Sequence, residues 1–303
     1  MAYADFLIRT GELHDHLQDP EWRVVDCRFE LTRPEKGFSD YLAGHVPGAI
    51  YAHLDRDLAS PVSAATGRHP LPEPETFART LGRFGIARRT EVVVYDQGGG
   101  ALAARLWWML RWMGHRSVRL LDGGFNAWQR DGLPLETKTP AVEPVIYRGQ
   151  ADDSMVVTTR EVAEALEAGR PLPLIDARDA PRFEGKSEPI DAVAGHIPGA
   201  LNFPFSASLT AEGVWRPAAE LRETWSEVLD EPADGPKDRD RGPLTAMCGS
   251  GVTACHLVAS AALAGLPLPR LYVGSWSEWI RDPARPVATG PAAGAAPSAA
   301  GGR

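Results

Sequence analysis

Apolar residues in this chain fall into two kinds of run. Arg23 to Asp26 and Glu91 to Tyr95 are short, rich in β-branched residues and bounded by polar or glycine-rich segments, so they predict strands. Ala101 to Met113 carries its apolar residues at helical spacing and predicts a helix. The same order recurs later, with strands expected at Leu172 to Asp176 and Leu244 to Met247 and a helix at Thr253 to Leu263. Strands that alternate with helices predict an α/β fold with largely parallel sheets flanked by helices.

The likeness of the two halves extends to individual residues. Val24-Val-Asp-Cys-Arg28 recurs as Leu174-Ile-Asp-Ala-Arg178, and Gly44-His-Val-Pro-Gly-Ala-Ile50 as Gly195-His-Ile-Pro-Gly-Ala-Leu201. Leu121-Asp-Gly-Gly-Phe-Asn-Ala-Trp128 corresponds to Tyr272-Val-Gly-Ser-Trp-Ser-Glu-Trp279, and the three offsets are 150, 151 and 151 residues. So constant and so long a period marks a duplicated domain rather than a solenoid. It divides the chain into a first domain at 1–138, a polar linker at 139–155 containing Pro140 and Pro144, and a second domain at 156–282. Pro232 to Gly242, with alternating charges, reads as a solvated insertion, and the Ala, Gly and Pro rich stretch 283–303 as a disordered tail.

Composition narrows the choice of partners. The 303 residues are 44% hydrophobic and 24% charged, as in ordinary globular proteins, and two domains suit that length. A formal net charge of -8 with no long basic run argues against nucleic acid or an anionic membrane as partner, and leaves small molecules or proteins. Met1 to Thr10 lacks a basic segment followed by an apolar core, and no apolar run approaches the ~20 residues of a membrane span. Three cysteines, Cys27, Cys248 and Cys255, are too few for a disulfide framework and lack zinc-ligand spacing. The expectation is a cytoplasmic protein without a metal.

One cysteine stands apart. In Cys248-Gly-Ser-Gly-Val-Thr253 it heads a glycine-rich turn between an expected strand and an expected helix, where the loops of a βα unit open on the ligand crevice. Gly249 and Gly251 allow backbone angles that let successive N–H groups point at one atom, and the helix from Thr253 adds the positive end of its dipole. Such a turn stabilises a sulfur anion and makes Cys248 a nucleophile at neutral pH. The first half offers a control, because Asp96-Gln-Gly-Gly-Gly-Ala101 lies opposite this loop and places aspartate where the second half has cysteine. Cys255 lies within the helix and Cys27 follows a strand, and both read as packing residues.

These elements resemble the tandem rhodanese-domain sulfurtransferases: two halves, each with an Asp-x-Arg strand end and a Gly-His-x-Pro-Gly-Ala element, and a cysteine loop in the second alone. The loop is similar to that of the 3-mercaptopyruvate sulfurtransferases within the family; thiosulfate-specific members usually carry basic residues where this chain has Gly249 and Ser250. The resemblance implies two rhodanese-like domains, the first catalytically silent, with the site between them. It implies that Cys248 takes sulfur from a small-molecule donor as a persulfide and passes it to a thiol such as reduced thioredoxin, or to cyanide, with no cofactor. It also implies a relay of Ser250, His69 and Asp55, a substrate carboxylate held by Arg182, and donor contacts along Gly249, Gly251, Val252 and Thr253. His45 and His196 recur in both halves and read as structural. A second arginine common before the Gly-His-x-Pro-Gly element is missing from Glu184 to Ala194, where Lys186 is the one cation.

Other readings are separable. A phosphatase of the same fold would need Cys-x5-Arg, and the sixth residue after Cys248 is Ala254. A persulfide carrier or binding module would keep Cys248 without needing His69, Asp55 or Arg182. A thiosulfate sulfurtransferase is the alternative within the enzyme class.

Overall fold

The computed structural model describes residues 6–229 and 242–291. In the first half, β1 (Leu7–Ile8), β2 (Trp22–Asp26), β3 (Ile50–Tyr51), β4 (Glu91–Tyr95) and β5 (Val118–Leu121) form a sheet of order β1-β5-β4-β2-β3. In the second, β6 (Val156–Val157), β7 (Leu174–Asp176), β8 (Leu201–Asn202), β9 (Thr245–Met247) and β10 (Arg270–Tyr272) repeat it as β6-β10-β9-β7-β8. Every strand pair in both sheets is parallel. The central strands are buried, as parallel strands covered on both faces must be. The fold is therefore α/β and duplicated, as the periodicity predicts.

The helices Ala103–Trp112 and Thr253–Leu263 join the halves. Each is apolar on nearly all sides, the pattern of a helix with no solvent face. Leu106, Trp107 and Leu110 share one continuous apolar core with Leu257, Val258 and Ala261, so the two domains are welded rather than tethered. Among the described residues no helix is long and apolar enough to cross a membrane.

Two stretches depart from expectation. The segment expected as a linker runs along the first domain, with the Val145 N–H donating to the Gly82 carbonyl and the Tyr147 hydroxyl to that of Met113. Residues 283–291, expected as the start of a disordered tail, are packed. Ala288 and His196 exchange backbone hydrogen bonds of 2.8 and 2.9 Å, and the indole of Trp279 donates to the Pro286 carbonyl. The first half does the same with His45 and Glu136, so the return segment belongs to the repeat. Composition suggested disorder, but backbone pairing ignores side-chain polarity. Residues 292–303, and all but Gly242 of the expected insertion, lie outside the described residues.

Candidate active site

The repeated motifs frame the site. At the end of β7 the Arg178 guanidinium grips Asp176, donates from Nη2 to the Gly195 carbonyl at 2.7 Å and lies over the Trp276 ring. At the end of β2, Arg28 does the same with Asp26, Gly44 and Phe125. The three motifs that recur in sequence thus meet in space, once per domain. His45 and His196 serve this frame, each bonding a backbone carbonyl through Nδ1 and stacking on Tyr41 or Phe183.

Cys248 follows β9 directly and is 2% exposed. Its Sγ accepts from the Gly251 N–H at 3.1 Å and, more weakly, from Ser250 N–H at 3.4 Å. Gly251 has φ +76, and a Cβ there would lie 2.6 Å from the Val273 carbonyl oxygen, so only glycine turns its N–H inward at this point. Gly249 is not left-handed, contrary to the expectation for it. It makes room for a neighbour, since a Cβ would come 3.0 Å from Nη2 of Arg68, which would have to shift by a few tenths of an ångström. The repeat segment after β10 supports the loop, with the Trp276 and Ser277 N–H groups donating to the carbonyls of Cys248 and Gly249. Ser275 sits at φ +53, where the first half has Gly124 at +57, and its hydroxyl accepts from the Cys248 N–H. A non-glycine residue tolerates that conformation only where something compensates, and here a buried hydrogen bond does.

In the first domain the equivalent loop already holds an anion. The Asp96 carboxylate accepts from the N–H groups of Gly98, Gly100, Leu102 and Ala103 at 2.7 to 3.1 Å. The backbone donors of this loop are thus taken up by the chain's own side chain.

His69 comes from the first domain and reaches Cys248's loop across the interface. Its Nδ1 lies 2.7 Å from the Ser250 hydroxyl, and Nε2 lies 3.3 Å from the Asp55 carboxylate. Burial holds the His69 pKa below its ordinary value, helped by the charges of Arg105 and Arg68 and opposed by Asp55. The hydrogen bond to His69 lowers the pKa of Asp55. A neutral imidazole between a carboxylate and a hydroxyl can move a proton to or from Ser250.

A cavity of about 140 Å³ opens at Cys248, lined by Gly249, Ser250, Val252, Thr253, His69 and Arg182 among others. Gly251 is outside that lining and acts through its N–H. Arg182 is present but engaged, bonding the Glu188 carboxylate through Nε at 3.0 Å and Asp191 through Nη2 at 3.1 Å. Lys186 is largely exposed, pairs with Glu184 and does not line the cavity. A second guanidinium, that of Arg68, does line it and pairs with Asp191. Sequence reasoning missed Arg68 because the pairing spans 123 residues and two domains. Its adjacency to His69 was the one available signal. Among the described residues no three His, Cys, Asp or Glu side chains cluster as a metal site requires.

Comparison with known proteins identifies the family of both domains. The rhodanese-like domain matches twice, at residues 10–131 and 158–282. A Pseudomonas aeruginosa protein named "Probable 3-mercaptopyruvate sulfurtransferase" is 47% identical over 287 residues, covering 94% of this chain and 98% of that one. The thiosulfate sulfurtransferase of Bos taurus is 38% identical over 280 residues, covering 90% and 88% respectively. The crystal structure of SseA from Escherichia coli, titled as a 3-mercaptopyruvate sulfotransferase, superposes with a TM-score of 0.73 at 34% identity, covering 90% of this chain and 99% of that one. The chain belongs to the rhodanese-like domain family, with two tandem copies of the domain.

Proposed function

We propose that this protein is a sulfurtransferase that takes sulfur from 3-mercaptopyruvate through a persulfide on Cys248 and passes it to a thiol, with cyanide as an artificial acceptor. The Cys248 thiolate attacks the donor's sulfur, and the carbon–sulfur bond breaks with its electron pair on carbon. That carbon is the methylene of an enolate, which takes a proton and leaves as pyruvate. The donor's thiol proton balances the one gained by pyruvate, so the enzyme keeps a persulfide anion. An acceptor thiolate, such as that of thioredoxin, then attacks the outer sulfur and releases the Cys248 thiolate.

The 2.7 Å contact between His69 and Ser250, beside Cys248, carries this reading. Sulfur transfer from thiosulfate releases sulfite, a stable anion, whereas an enolate gains from a positioned proton donor. Ser250 is that donor, His69 restores its proton and Asp55 orients the ring. Arg182 and Arg68 supply the N–H donors for the substrate carboxylate, a task suited to guanidinium groups. Both are balanced by Glu188 and Asp191, which favours a monoanionic donor over dianionic thiosulfate, since a second charge entering a balanced pocket is desolvated without compensation. The similarity to a thiosulfate sulfurtransferase keeps thiosulfate as the second reading. The first domain, 1–138, contributes His69 and Asp55 to the site but no nucleophile, and the nucleophile belongs to 156–282.

Incubation with 3-mercaptopyruvate and mass analysis of the tryptic peptides tests the assignment. The expected result is one added sulfur atom on the Cys248 peptide and none on those of Cys27 or Cys255. Sulfur on another cysteine, or none, contradicts it.

A further inference from the structure

Arg105 is a charge whose place the mechanism above does not explain. It lies on the helix Ala103–Trp112 of the first domain and is fully buried at the domain interface. Nη1 donates to the Gly251 carbonyl at 3.0 Å, and Nη2 to the carbonyls of His69 and Leu58 at 3.2 and 3.4 Å. Nε has no acceptor. The other guanidinium groups at the site are matched by carboxylates: Arg68 by Asp191, Arg178 by Asp176 and Glu188, Arg182 by Glu188 and Asp191. Among the described residues, Arg105 has carbonyl partners and no carboxylate.

A buried cation without a counter-ion is strongly unfavourable, and carbonyl dipoles offset only part of that cost. Its Nη1 anchors the carbonyl of Gly251, the residue whose N–H faces Sγ of Cys248 at 3.1 Å, and its charge acts on the thiol of Cys255, which also hydrogen-bonds with it, and on Cys248. Burial pushes Cys255 up to about 12, and its thiol donates to the Gly251 carbonyl, so it stays protonated. Cys248 remains as the group that becomes an anion during turnover. The same positive charge disfavours a proton on His69.

We propose that Arg105 is the fixed counter-charge for the sulfur anion on Cys248, a positioning residue through which the first domain holds the cysteine loop and raises the reactivity of its sulfur. The proposal rests on Cys248 being the sulfur carrier. It gives the silent domain an electrostatic task besides supplying His69 and Asp55. It also explains why the interface needs a charge where packing alone would call for an apolar residue.

Two variants separate charge from hydrogen bonding: Arg105→Lys keeps the charge, and Arg105→Gln keeps donors without it. The readout is the rate of Cys248 alkylation by iodoacetamide at pH 7, located by mass analysis. Arg105→Lys is expected within threefold of the wild type and Arg105→Gln at least tenfold slower. Equal losses in both variants, as a merely structural role would give, or no loss in either, overturn the proposal. Wild-type protein supplies a second test if the variants do not fold. Loading Cys248 with sulfur from inorganic polysulfide should raise the Tm, and identical treatment of Cys248→Ser should not. An unchanged or lowered wild-type Tm overturns the proposal. Alkylation and polysulfide loading are independent of the natural donor, so a failure to react with 3-mercaptopyruvate refutes the proposed function and leaves this inference separately decided.

Discussion

Replacing Ser250 with alanine removes one oxygen from a relay whose contacts are fixed by burial. Ser250 is 6% exposed and its hydroxyl lies 2.7 Å from Nδ1 of His69, while the Ser250 N–H continues to face Sγ of Cys248. The nucleophile and its cradle therefore survive the change. The deletion strands a buried ring nitrogen, which costs about 1–3 kcal/mol of stability and leaves a two-domain fold with a continuous core intact. For 3-mercaptopyruvate the variant loses the proton donor to the enolate. A positioned acid contributes roughly 10²–10⁴ in rate, so kcat is expected to fall by about two to three orders of magnitude. For thiosulfate the hydroxyl is one hydrogen bond among several, worth ~1 kcal/mol, or about fivefold. Pyruvate release coupled to lactate dehydrogenase reports the first donor, and thiocyanate formation the second. Equal losses with both donors would refute the relay and reduce Ser250 to a packing residue.

Four further outcomes follow from the same geometry. Asp55→Asn should cost less than Ser250→Ala, about three- to tenfold in kcat with 3-mercaptopyruvate, because the Asp55 side chain is 43% exposed and its field on His69 is screened; a loss as large as that of His69→Ala counts against this ranking. Gly251→Ala forces a left-handed alanine against the Val273 carbonyl and turns an N–H from Cys248, so sulfur loading should slow by at least tenfold while Gly48→Ala, left-handed with open space around it, leaves loading unchanged. Arg68→Ala should raise KM for 3-mercaptopyruvate by about tenfold, the worth of a charged hydrogen bond, and an unchanged KM removes Arg68 from the substrate site. His256, buried against Trp215 with Nε2 at 3.0 Å from the Gly99 carbonyl, has its pKa lowered by burial to about 3. The unfolded chain then takes up the proton first, so this contribution is complete above pH 6.5 and is lost progressively as pH falls toward 3. By pH 5 the loss is about 2 kcal/mol, and urea unfolding of His256→Phe should show a correspondingly smaller drop between pH 7 and pH 5.

Repetition made most of the fold legible. A motif found twice at a fixed offset has to serve a task that both domains share, and Asp-x-Arg, Gly-His-x-Pro-Gly and the segment after the last strand of each sheet do meet as one frame. Departures from the repeat were as informative: cysteine opposite Asp96 singles out the loop proposed to react, and Ser275 opposite Gly124 marks a left-handed position whose hydroxyl accepts from the Cys248 N–H. Contacts unique to the interface left no such trace. Arg68 and Arg105 have no repeated context; Asp191 repeats Asp40 at the offset of 151, but Asp40 pairs with Lys36 of its own domain and Asp191 with Arg68 of the other, a partner set by docking, which local pattern does not encode. The role of Gly249 was misread for a related reason, because the space it leaves for Arg68 belongs to the other domain. The return segment 283–291 was missed because its pairing is through the backbone and its residues are those of a flexible tail.

The most direct test of the central claim is kcat/KM for 3-mercaptopyruvate and for thiosulfate on one preparation, with reduced thioredoxin as acceptor and Cys248→Ser beside the wild type. The account predicts preference for 3-mercaptopyruvate and no turnover of either donor by Cys248→Ser. Preference for thiosulfate, or turnover without the Cys248 sulfur, contradicts it.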